Sequence, residues 1–144
     1  MIVYLDTSAL FKLYAAEPGA GDVRDIVEKA ETAYTHLIAY AEVCAGFAKA
    51  VRLGRIAAGD AGGYRRDLDR DWEQFGILMP DQMMIRRAGD LALRFGLRGY
   101  DSVHLAAAES LRVGRGADLL RFASFDERLN QSAAELGLRL LAAD

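Results

Sequence analysis

Cysteine is nearly absent from this chain: Cys44 is the only one, and it lies inside an apolar run. A lone thiol excludes a disulfide framework and any zinc site built on paired cysteines, and it suits a reducing compartment. No apolar stretch approaches the roughly 20 residues needed to span a bilayer. The opening MIVYLDTSALF has neither the basic leading region nor the small-residue cleavage site of a secretory signal. The expectation is a soluble, cytoplasmic protein with no membrane association. A basic excess is missing too, since 18 Lys and Arg face 21 Asp and Glu for a net charge of −3. That argues against binding nucleic acid by overall attraction to phosphate, and it leaves room for local basic patches. Lysine is confined to Lys12, Lys29 and Lys49. The other basic residues are arginine, the better bidentate phosphate ligand, although a GC-rich genome would produce the same bias. There is no internal repeat, low-complexity tract or linker. The 144 residues suit one domain over 1–144, large enough to bury roughly 70% of its unfolded surface.

What is present is an alternation of short apolar runs and longer helical patterns. Residues 2–5 (IVYL) read as a strand, and Asp6-Thr7-Ser8 offers capping chemistry for a helix over about 8–15. Pro18-Gly19 punctuates, a helix covers about 20–31, and 33–37 is strand two. A helix over about 38–53 ends at Leu53-Gly54, and another spans about 57–76. Residues 77–79 form strand three, Asp81 caps a helix to about Phe95, and Tyr100-Asp101 opens a helix to about Val113. Strand four covers 120–125, a last helix covers 127–136, and 138–141 is a fifth edge strand. Such alternation predicts an α/β fold with helices on both faces of a mostly parallel sheet of about five short strands.

Four carboxylates stand out from apolar surroundings. Asp6 is the only charge in the first eleven residues and follows directly on a buried-type strand, the position where open parallel sheets bind ligands. Helix capping alone is the competing explanation. Glu42 is the sole acid or base, apart from a tyrosine, in the apolar stretch 38–48, and a buried carboxylate without a partner costs several kcal/mol. The alternative is a narrow exposed stripe. Asp101 stands at a positive helix start, again with capping as the bland reading. Asp126 ends strand four in Phe122-Ala123-Ser124-Phe125-Asp126 and repeats the strand-then-acid arrangement of Asp6. Asp118 precedes that strand and so falls at the wrong end of the sheet. If the topology holds, the four acids share one edge. Two carboxylates about 4 Å apart repel by about 4 kcal/mol at an effective dielectric near 20. A hard divalent cation removes that penalty and prefers oxygen ligands, which points to Mg²⁺ or Mn²⁺.

At these residues the sequence resembles the PIN-domain ribonucleases of the VapC toxin type. The matching stretches are Leu5-Asp6-Thr7-Ser8-Ala9-Leu10, Ala39-Tyr40-Ala41-Glu42-Val43, Gly99-Tyr100-Asp101-Ser102-Val103-His104-Leu105-Ala106 and Phe122-Ala123-Ser124-Phe125-Asp126-Glu127-Arg128-Leu129. They run in the family's order over nearly the whole chain. The resemblance implies a three-layer α/β/α fold, a divalent-metal-dependent endoribonuclease toxin, and an antitoxin as its partner. It carries Asp6, Glu42, Asp101 and Asp126 over as the catalytic cluster, with Asp6, Asp101 and Asp126 on the metal. Glu42 is then a further ligand or the orienter of the attacking water, and Thr7, Ser8 and Ser124 are supporting hydroxyls. Ser124 stands where the family often has threonine. The implied reaction is in-line phosphodiester hydrolysis leaving 5′-phosphate and 3′-hydroxyl ends.

By chain neighbourhood, Lys12, Arg98 and Arg128 are the candidates for gripping the RNA backbone. The arginines at 65, 66, 70, 86 and 87 have acidic neighbours and read as solvated helix faces. No catalytic histidine is required. His104, three residues after Asp101, either faces the site or, the favoured reading, is a packed or exposed helix histidine, and His36 is treated alike. Helix 38–53 is apolar enough that, beyond core packing, a remainder with Trp72 and Phe75 is a candidate groove for an antitoxin helix or a homodimer contact. Other Mg²⁺-dependent α/β enzymes fit less well. A haloacid-dehalogenase-type phosphatase wants an acid where Ser8 stands, a receiver domain wants a late lysine, and no Gly-x-Gly-x-x-Gly follows strand one. A non-catalytic PIN-like binding module would have lost one or more acids, and all four are present.

Overall fold

The computed structural model describes residues 1–141. Twelve elements follow in order: β1 (Ile2–Leu5), α1 (Thr7–Lys12), α2 (Ala20–Lys29), β2 (Thr32–His36), α3 (Ala39–Arg52), α4 (Ala58–Trp72), β3 (Gly76–Leu78), α5 (Gln82–Phe95), α6 (Gly99–Arg115), β4 (Leu120–Ala123), α7 (Glu127–Glu135) and β5 (Arg139–Leu140). The strands form one sheet in the order β3-β2-β1-β4-β5, and every pairing is parallel. Parallel neighbours need crossovers, so helices must cover both faces. β1 lies at the centre and is buried along its whole length.

Alternation along β1 divides the core. Ile2 and Tyr4 join Leu120 and Phe122 under α5, α6 and α7, with Leu91, Leu105 and Leu129 supplying the helix side. Val3 and Leu5 point the other way, toward Leu10, Val23, Val43 and Leu68 of the first four helices. The result is the three-layer α/β/α architecture expected from the sequence.

Every expected element is present, and the differences lie at the ends. α1 stops at Lys12 rather than near residue 15, because Tyr14 and Ala15 turn inward as buried residues before Pro18. α4 ends at Trp72, and Gly76 already begins β3. A Cβ at Gly76 would lie 2.4 Å from the Tyr34 ring on β2, so this strand start tolerates only glycine. β4 ends at Ala123 instead of 125, which leaves Ser124 and Phe125 as a short connection and makes Asp126 the cap of α7. The edge strands β3 and β5 span three and two residues.

Candidate active site

Each of the four acids stands at the start of a helix. Asp6 caps α1, accepting from the Ala9 N–H at 2.9 Å, and Asp126 caps α7, accepting from the Leu129 N–H at 2.9 Å. Glu42 lies in the first turn of α3 and Asp101 in the first turn of α6. Asp101 is therefore not the cap of its helix, a place held by Arg98. β1, β2 and β4 each deliver a helix start at their carboxyl ends. α6 leads to the start of β4, so its own beginning lies at that same edge. A carboxylate at a helix start is stabilised by the backbone N–H groups and the macrodipole, so this topology can gather four acids.

All four line one open cavity of about 620 Å³, together with Thr7, Ser8, Arg98 and His104. Its far wall is apolar, from Phe11, Leu53 and Ile56, and Lys12, Lys49 and Arg55 add positive charge. Asp6 is the deepest acid, with 3% of its surface exposed. Burial pushes its carboxyl above the ordinary aspartate range, against the opposing pull of the Ser124 and Ser8 hydroxyls and the Ala9 N–H. The Ser8 hydroxyl donates to Asp6 Oδ1 at 2.7 Å and accepts from the Phe125 N–H at 2.9 Å. Ser124 Oγ also accepts from the Asp126 N–H at 3.1 Å. The two serines thus tie the end of β1 to the end of β4.

Glu42 is held differently. Its Oε1 accepts the Thr7 hydroxyl at 2.6 Å and meets His104 Nε2 at 2.9 Å. Burial raises its carboxyl, but the His104 and Thr7 hydrogen bonds outweigh that, and the net shift is below the ordinary glutamate range. His104 itself is buried, with its other ring nitrogen 2.7 Å from the Tyr4 hydroxyl. The favoured sequence reading set this histidine apart from the site, and the structure places it on the cavity wall. Its spacing of three from Asp101 was the signal. His36 is buried behind it, with Nδ1 accepting from the Ile38 N–H at 3.0 Å. Burial is the main reason its pKa lies below the usual histidine value.

Arg98 spans the outer pair. Its Nε donates to Asp101 Oδ2 at 2.9 Å, and a terminal nitrogen lies 3.6 Å from Asp126 Oδ2. Lys12 lines the cavity, pairs with Glu17 at 2.9 Å and sits 4.6 Å over the Phe125 ring. Arg128 is not among the lining residues, and its guanidinium donates to the Gly96 carbonyl at 3.1 Å. Lys49 and Arg55, which the sequence did not single out, do line it. Asp118 pairs with Arg139 at 2.6 Å, away from the cavity.

The donor set suits a hard divalent ion in kind: four carboxylates, no thiol, and an imidazole already engaged through both nitrogens. Among the described residues, no three His, Cys, Asp or Glu side chains are drawn together tightly enough to enclose an ion as they stand. The guanidinium of Arg98 supplies the positive charge between two of them.

The chain belongs to the PIN-domain family, whose model matches residues 3–135. Within that family it is similar to the VapC ribonucleases. It is 34% identical to "Ribonuclease VapC45" of Mycobacterium tuberculosis strain CDC 1551, over 99% of this chain and 96% of that protein. To "Ribonuclease VapC46" of strain H37Rv it is 31% identical, over 97% and 96%. Among solved structures, a toxin-antitoxin complex from Klebsiella pneumoniae matches with a TM-score of 0.65 at 17% identity, covering 99% of both chains, and so shares the fold.

Proposed function

We propose that this protein is a divalent-metal-dependent endoribonuclease and the toxin of a toxin-antitoxin pair. The observation that carries the reading is the convergence of Asp6, Glu42, Asp101 and Asp126, from four separate helix starts, on one cavity that also carries four cationic side chains. Relatives named ribonuclease over nearly the full chain support it. Asp6, Asp101 and Asp126 would hold Mg²⁺ or Mn²⁺, and the ion would supply charge neutralisation at the scissile phosphate and a lowered pKa for water.

The chain's own residues account for the rest. Ser8 and Ser124 fix the Asp6 carboxylate, and Thr7 and His104 fix Glu42. One Glu42 oxygen is thereby occupied, leaving the other to orient the attacking water. Arg98 and Lys12 grip the RNA backbone, joined by Lys49 and Arg55 in the place expected for Arg128. The apolar wall and the Phe125 ring at the mouth, 40% exposed, offer surfaces on which unstacked bases rest.

An antitoxin is the proposed partner, in keeping with the Klebsiella complex. The Tyr40 and Trp72 rings stack edge to face at 5.2 Å and line an apolar groove with Ile38, Ile85 and Tyr100, which suits an antitoxin helix or a second copy of this chain. No helix among the described residues is long and apolar enough to cross a membrane, and the protein acts in the cytoplasm on this reading. The test uses purified protein, a panel of structured RNAs, and Mn²⁺ or Mg²⁺ against EDTA, beside Asp6→Asn and Asp101→Asn. Cleavage is expected only with metal, and each substitution should lower it by at least about 100-fold. Cleavage that survives both substitutions, or that ignores EDTA, would falsify the assignment.

A further inference from the structure

Behind the cavity wall lies a chain of buried polar groups that ends on Glu42. Tyr4 is fully buried on β1, and its hydroxyl oxygen lies 2.7 Å from His104 Nδ1. His104 Nε2 lies 2.9 Å from Glu42 Oε1 and 3.0 Å from Thr7 Oγ1. Thr7 has a single hydroxyl hydrogen, and the 2.6 Å contact places it on Glu42 Oε1. Among the described residues no other donor is hydrogen-bonded to the carboxylate or to the threonine oxygen at this junction, so His104 Nε2 must carry a hydrogen. A bare nitrogen there would face a carboxylate oxygen lone pair to lone pair.

The other end fixes Nδ1. A phenol has one hydrogen to donate, and burying it without an acceptor is costly. Among the described residues, the acceptor in hydrogen-bond reach of the Tyr4 hydroxyl is His104 Nδ1, at 2.7 Å. Its own hydrogen therefore goes to His104 Nδ1, which must be bare. The ring is neutral and held as one tautomer, with Nε2–H aimed at Glu42.

We infer that His104 is a positioning residue for Glu42: the Tyr4 hydroxyl holds its Nδ1, and its Nε2–H, with the Thr7 hydroxyl, pins Glu42 Oε1 so that only Oε2 is presented to the cavity. This rests on the nuclease reading for its effect on cleavage, but not for the hydrogen-bond direction. A group whose partner sets its tautomer and ring angle is worth about 10- to 100-fold in activity when it supports a reactive carboxylate. The loss should fall on kcat, because neither Tyr4 nor His104 reaches out to grip substrate.

The test combines imidazole nitrogen spectra with kinetics. The chain has two histidines, so the His104 signals are assigned by their disappearance in His104→Gln. The wild type should show a neutral His104 with hydrogen on Nε2 alone, and Tyr4→Phe, which keeps the ring, should keep the Nε2 hydrogen on Glu42 while the Nδ1 signal loses the shift that the Tyr4 hydrogen bond gives it. His104→Leu should lower kcat by about 10- to 100-fold with little change in KM. His104→Gln, whose amide still donates from the Nε2 position, should recover part of that loss, and Tyr4→Phe should lose less than His104→Leu. A wild-type ring protonated on Nδ1 or on both nitrogens would overturn the inference, as would a folded His104→Leu that cleaves like wild type. If His104→Leu does not fold, Tyr4→Phe decides the matter through its spectrum and kcat. If the wild type cut no RNA, the nuclease reading would fail while the nitrogen spectra still decided the tautomer.

Discussion

The inner and outer halves of the acidic cavity are held by different kinds of interaction. Inside, Asp6 and Glu42 are fixed by short bonds from neutral donors: two serine hydroxyls and a backbone N–H for the first, a threonine and an imidazole for the second. Outside, Asp101 and Asp126 share Arg98, whose side chain is 81% exposed. Neutral donors packed in the core hold a geometry whatever the salt. An exposed guanidinium holds it only electrostatically, and it can be displaced by another cation. The inner half is thus fixed by packing, and the outer half is the part open to rearrangement by a competing cation or anion.

The sharpest break in that contrast comes from removing one charge on each side. Asp6→Asn keeps a side chain able to cap α1 and removes an ion that burial disfavours, so it should raise thermal stability at neutral pH by about 1 kcal/mol or more while abolishing cleavage. Asp101→Asn should abolish cleavage with almost no gain, because its carboxylate is better solvated and already paired. Equal melting shifts in a calorimeter would show that the two halves do not differ as described.

A smaller effect is expected from Arg98→Ala. The exposed pair contributes little to folding, so the melting point should barely move. With the competing cation gone, calorimetric Mn²⁺ affinity should rise by about fivefold, equivalent to roughly 1 kcal/mol. Weaker Mn²⁺ binding would instead make Arg98 part of the metal site.

The smallest effect lies outside the cavity and serves as a control. Arg87 on α5 makes a two-point ion pair with Glu109 on α6, at 2.7 and 2.8 Å. The Arg87 hydrogen bond holds the Glu109 carboxyl below the usual glutamate range. A depressed folded pKa means the stabilisation is complete above the unfolded value and disappears as pH falls through the folded one. Acid titration of stability should therefore lose up to about 1 kcal/mol that Glu109→Gln lacks at every pH. Cleavage by Glu109→Gln at neutral pH should match wild type.

Much of this was legible in the sequence because it is local. A strand followed at once by an acid, as at Leu5-Asp6, fixes a strand end and a helix start together, and β1 and the Asp6 cap follow from it; at β4 the same pattern ran two residues too far, because Ser124 and Phe125 form the connection to α7. The α1 boundary was harder. Its periodic run continues past Lys12, and only the burial of Tyr14 and Ala15 explains the early turn. The cavity lining was partly hidden for the same reason. Lys49 and Arg55 reach it through the packing of α3 on α1, whereas Arg128, close to Asp126 in sequence, turns to Gly96. His104 was the largest gap. Its partners Tyr4 and Glu42 are 100 and 62 residues away, and no local pattern encodes where two such groups meet an imidazole.

The brevity of the outer strands bears on how this protein associates. Among the described residues, β3 and β5 give three and two residues of ladder at the sheet margins, little main chain to template another strand. Sheet extension from one molecule to the next is thereby blunted at both borders. A second protein, whether a different chain or another copy, must then be recognised through side-chain shape and chemistry, and it can be gained, lost or exchanged by surface substitutions that leave the sheet untouched.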